Sequence, residues 1–108
     1  MEKSILTELA DGIVDIMGSR LVSIVLYGSV ARGANTEESD VDIALIMHGK
    51  LDFDTEDILS DFIVDMNLKY DKVFSVIDID IRHFQKWIEV LPFYQNVERE
   101  GVVLWKAA

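Results

Sequence analysis

The chain has 108 residues, half of them hydrophobic, with one proline, no cysteine and a formal charge of −10 from twenty acidic and ten basic side chains. That length suits one domain, 1–108, with a core of its own, and the composition excludes a disordered tail, disulfides and thiolate metal sites. No apolar run approaches a membrane span and residues 1–20 lack a secretion signal, so a soluble cytoplasmic protein is expected, whose acidity opposes nucleic-acid backbones and favours a basic protein partner.

Ile5, Leu9, Ile13 and Ile16 recur three or four apart, with Leu6 and Met17 widening the stripe, which predicts a helix over 2–18 that covers a core and stops at Gly18. Residues 21–27 follow as a buried strand, the run Val22, Ile24, Val25, Leu26, Tyr27 ending at Gly28 and Ser29. Gly28 admits close approach without a Cβ. Ser29 supplies a hydroxyl, and Val30 to Arg32 can start a short helix whose unpaired N–H groups attract anions, so a phosphate is expected there. In the loop that follows, Gly33 and Asn35 suit turns, while Glu37, Glu38 and Ser39 keep the approach to Asp40 solvated. Arg32, its one cation, can meet a triphosphate, pair with an aspartate or stay solvated.

Residues 40–47 form the second strand, whose alternation puts Asp40 and Asp42 on one face and Val41, Ile43 and Leu45 on the other. Two carboxylates this close repel unless a proton or a divalent ion compensates, and hard oxygen ligands beside phosphate suit Mg²⁺. A phosphate cradle with metal-binding carboxylates is equipment for phosphoryl or nucleotidyl transfer.

His48 opens a polar stretch and reads as a turn residue, since no second His or Cys is spaced to share a metal with it. Thr55 is the expected cap of a second covering helix, with Ile58, Leu59, Phe62, Ile63 and Met66 buried and Asp57, Asp61 and Asp65 solvated. Val73 to Ile79 forms a third strand with Ser75, Ile77 and Ile79 on one face; Phe74, Val76, Asp78 and Asp80 take the other, the two acids read as solvated residues at its end. A helix over Arg82–Val90 halts at Pro92, with Phe84, Trp87, Ile88 and Leu91 on its apolar side. Phe93, Tyr94 and Val97 continue helically to Gly101, and 102–105 form a last short strand or an extended tail. Trp87, Phe93, Tyr94 and Trp105 serve as core or interface anchors, adenine stacking being the less favoured role. This order implies an α/β (α+β) domain with a small sheet covered by helices.

Gly28, Ser29, ten residues, then Asp40, Val41, Asp42 resembles the GS-x10-DxD signature of the DNA polymerase β-like nucleotidyltransferase superfamily. GSVARG followed by SDVDIALI looks like its smallest members, the minimal nucleotidyltransferases paired with HEPN-domain toxins, over nearly the whole chain. The resemblance implies a nucleotidyltransferase fold with a small mixed sheet. It also implies Mg²⁺-dependent transfer of AMP from ATP to a hydroxyl, for these relatives a tyrosine on a HEPN-domain toxin-like protein, with the chain as antitoxin. Asp40 and Asp42 would be catalytic and hold the metal; Gly28, Ser29 and Arg32 would bind the nucleotide. A third carboxylate is usual in such enzymes, and the landmarks Phe84 and EGVVLW put its position at Ser75, with Asp78 and Asp80 further along. The competing reading is a catalytically weak or inactive module that neutralises a partner by contact. Aminoglycoside modification fits less well, as no further domain receives the drug, and self-association stays open.

Overall fold

Ile5, Leu9, Ala10, Ile13 and Met17 form the buried side of α1 (Lys3–Met17) in the computed structural model, which describes residues 3–31, 33 and 40–108. Gly18, at φ +61°, turns the chain out of that helix in a left-handed conformation that L side chains resist. A single 3-10 turn then leads into β1 (Leu21–Tyr27) and the one-turn helix α2 (Gly28–Ala31). The remaining elements are β2 (Val41–Met47), α3 (Phe53–Tyr70), β3 (Phe74–Asp80), α4 (Ile81–Trp87), α5 (Pro92–Glu100) and β4 (Val102–Lys106).

The four strands lie in the order β3-β2-β1-β4. Hairpin-like partners run antiparallel, β1 with both β2 and β4, whereas β3 returns through α3 and lies parallel to β2. The sheet is therefore mixed, as expected. Its larger core packs Ile24, Leu26, Val41, Ile43, Leu45, Met47 and Phe74 against α1 and α3. The smaller core packs Val25, Ala44, Ile46 and Ile79 against Tyr94 and Val97 of α5 on the opposite face. A register shift between Leu21 and Ser23 resets the alternation of β1. In consequence Leu21 and Ile24 both serve the larger core, and Val22 and Val25 the smaller one.

Gly12, inside α1, lets that helix press on α3: a β-carbon there would collide with the Phe62 ring. At the rim of this contact Lys69 Nζ donates to both Glu8 oxygens at 3.1 Å, and the Tyr70 hydroxyl to Glu8 Oε1 at 2.8 Å.

Several expected boundaries are corrected. Asp52, not Thr55, caps α3: its carboxylate accepts the Thr55 N–H at 3.1 Å and the Thr55 hydroxyl at 2.8 Å, because Thr55 is the third helical residue, where the first free donors point back. Arg20 Nη1 donates to the same carboxylate at 2.6 Å and holds it well below the usual carboxylate range. Ile58 is 57% exposed, because α3 turns Leu59 and Met66 to the sheet and Ile58 falls outside that arc. The helix expected to reach Val90 ends at Trp87, where the Val90 and Leu91 N–H groups both bond to the Trp87 carbonyl in a turn before Pro92. Of the aromatic anchors, Tyr94 is buried, while Trp87 and Phe93 are 36% and 41% exposed. The C-terminal segment is a strand, β4.

Candidate active site

Three strands set one polar row across the sheet. Asp42 of β2 pairs with Tyr27 of β1 on one side and with Ser75 of β3 on the other, so the three side chains share the face covered by α4 and α5. The antiparallel rung brings the end of β1 to the start of β2, which folds the two halves of the sequence motif together. Gly28, at φ +76°, touches Asp42: a β-carbon at position 28 would collide with Asp42 Oδ2. Glycine is required there on two counts, the left-handed backbone and the carboxylate lying against it.

Asp40 is exposed and immediately precedes β2; the next N–H, of Val41, donates to the Val73 carbonyl at 2.8 Å and pins this end of β2 to the approach of β3. Asp42 is half-buried, and burial, reinforced by the charge of Asp40, raises its carboxyl above the ordinary 3.8. Tyr27 is raised as well, by burial first and then by the charge of Asp42. An electrostatically frustrated pair of this kind is relieved by a proton or a cation. Its donors are hard oxygens, so the residues present fit a magnesium-sized ion. Among the described residues, no group of three His, Cys, Asp or Glu gathers to hold a metal.

Of the expected site residues, the structure brings Gly28, Asp40 and Asp42 together. Ser29 has its backbone in α2; its side chain lies outside what is described, as do Arg32 and residues 34–39. Ser75 stands beside Asp42. Asp78 does not: it is exposed on the opposite face, where it lines a groove with Glu56, Leu59 and Ile63. Asp80 accepts the Arg82 N–H at 3.1 Å and caps α4. The His48 N–H bonds to the Arg20 carbonyl at 2.8 Å in the turn after β2.

Two aromatic neighbours of the row are additions to the sequence reading. Tyr27 flanks Asp42, and the Phe93 ring at the start of α5 stands edge-on to it, centroids 5.5 Å apart. The position of Tyr27, directly before Gly28, was a usable signal; that of Phe93 depends on how α5 docks. Tyr94 accepts or donates a 2.6 Å hydrogen bond with His83 Nδ1 and ties α5 to α4 behind this wall.

A family model described as polymerase beta nucleotidyltransferase matches residues 13–108. A Methanocaldococcus jannaschii protein assigned as a protein adenylyltransferase is 36% identical over 104 residues, covering 96% of this chain and 98% of its own. Among solved structures, a chain of a toxin–antitoxin complex with AMP-PNP superposes with a TM-score of 0.60 at 21% identity, over 94% of this chain and 73% of that one. A chain of the Shewanella oneidensis complex between a tri-AMPylated HEPN toxin and an MNT antitoxin does so at 0.59 and 20%, over 99% and 74%.

Proposed function

The chain belongs to the polymerase beta nucleotidyltransferase family, and we propose that it transfers AMP from ATP, with Mg²⁺, to a hydroxyl of a HEPN-domain toxin-like protein in the cytoplasm, as its antitoxin. The observation that carries this reading is the contact of Asp42 with Gly28, which sets a partly desolvated carboxylate, with the charge of Asp40 near it, beside the turn where a triphosphate would enter. The adenylyltransferase assignment of the M. jannaschii relative and the AMPylated toxin partnered by an MNT antitoxin support the choice of AMP and of partner.

In this reading Gly28 and Ser29 hold the distal phosphates and Arg32 steadies them, while Asp40 and Asp42 hold Mg²⁺. When bound, that ion offsets phosphate charge and stabilises the leaving oxygen. The acceptor oxygen bonds to the α-phosphorus as the bond to pyrophosphate breaks. Tyr27 and Phe93 wall the row on the α5 side.

A second reading has a specific observation in its favour. Ser75, neighbour to Asp42, offers no carboxylate to the reaction, as in a module that neutralises its partner by contact alone. Labelled ATP, Mg²⁺ and the protein encoded beside this chain separate the two. Label transfer that Asp42→Asn abolishes establishes the enzyme, whereas protection of cells by both versions without transfer establishes the binding module.

A further inference from the structure

Resting on the transfer reading above, we infer that this site binds one divalent cation, not two, because the β3 position beside Asp42 carries a neutral hydroxyl. Neighbouring strands lie about 4.8 Å apart, so a carboxylate at position 75 would share Asp42's ion environment and anchor a second cation on the acceptor side. Ser75 is there instead, half-buried and in register with Asp42. Cation affinity at all-oxygen sites follows the number of charged ligands, and a hydroxyl adds none.

No other described residue makes up the deficit. The next two residues of β3 on the site face are Ile77 and Ile79, both packed in the smaller core. Its acids are committed elsewhere, Asp78 to the groove under α3 and Asp80 to the first turn of α4. From the flanking elements Tyr27 and Phe93 reach the row, neither of them an acid. Among the described residues Asp40 and Asp42 are therefore the two carboxylates of this site, which holds one ion with the nucleotide.

A consequence follows for the proton. As the acceptor oxygen bonds to phosphorus and pyrophosphate departs, the hydroxyl proton of the acceptor passes to solvent water, since serine is far too weak a base to take it.

The test counts ions. The full chain is titrated with Mn²⁺ in the presence of an ATP analogue whose α,β-bridge resists cleavage, and bound Mn²⁺ is read by electron paramagnetic resonance. Wild type and Ser75→Ala should saturate at one Mn²⁺ per chain, and Ser75→Asp, checked for folding by circular dichroism, should take up a second. Two ions in the wild type, a Ser75→Asp protein that stays at one, or loss of the ion in Ser75→Ala would each overturn the inference. Should Ser75→Asp not fold, the wild-type and Ser75→Ala counts still decide it. A wild type that binds no ion with the nucleotide, like Asp42→Asn, would instead remove the transfer reading on which the inference rests.

Discussion

The two faces of the sheet are built to different ends. Under α1 and α3 the buried residues are all apolar, Leu9, Ile13, Ile24, Ile43, Leu45 and Met47 being at or near complete burial. Under α4 and α5 the apolar core is smaller, and toward the end of β1 it gives way to Tyr27, Asp42 and Ser75. Burial stabilises the first face. On the second it works against one residue, since Asp42 is partly desolvated next to another carboxylate. The larger apolar core on the other face offsets that cost.

The sharpest way to break the contrast is to cut into each face in turn. Ile13→Ala, at a site with 0% exposure, should cost about 2–5 kcal/mol in urea unfolding, the range for a large buried aliphatic truncated to alanine. Asp42→Asn should do the reverse to stability. Because the folded pKa of Asp42 is raised, the folded state binds the proton more tightly than the unfolded one. Its ionised form therefore weakens the fold as pH rises through and above 3.8, and a neutral amide removes that burden. The melting temperature at pH 7 should rise while AMP transfer falls by more than about 100-fold, several kcal/mol of transition-state stabilisation. A melting temperature that drops would show that Asp42 supports the fold and is not strained by it.

The α1–α3 contact gives a finer probe of the apolar face. Gly12→Ala should cost about 1–3 kcal/mol by forcing the Phe62 ring aside, even though alanine is the better helix former. Adding Phe62→Leu should recover much of that loss; if it does not, the helices are not held apart by this ring. The smallest effect is at the cap of α3. The Asp52 carboxyl lies below its ordinary 3.8 through Arg20 first and Thr55 second, so its stabilisation is present above that pH and lost as the pH falls below it. Asp52→Asn, which keeps a capping oxygen but no charge, should flatten the fall in melting temperature below about pH 4.

Much of this arrangement was legible in the residues themselves. Strict alternation along β2 places Asp42 on the face opposite Val41, Ile43 and Leu45 in any sheet, because the period of a strand is local geometry, whereas Asp40 lies just before the strand. The stripe of α1 and its stop at Gly18 follow from helical spacing and from glycine's access to positive φ in the same way. Local rules also sufficed to doubt Asp78 and Asp80 as partners of Asp42, since parity sets them on the other face from Ser75.

What tertiary structure decided is everything that depends on which element lies beside which. The bulge after Leu21 resets the faces of β1, Asp52 captures Arg20 from 32 residues away, and Ile58 is left in solvent because α3 leans on the sheet through Leu59 and Met66. The parallel pairing of β2 with β3 belongs here too. It is set by the α3 crossover and not by either strand's own sequence, yet it puts Ser75, and no acid, beside Asp42. Spacing along a chain determines the face a side chain takes; only the packing of distant segments determines its neighbour, because that choice minimises exposed apolar surface over the whole molecule.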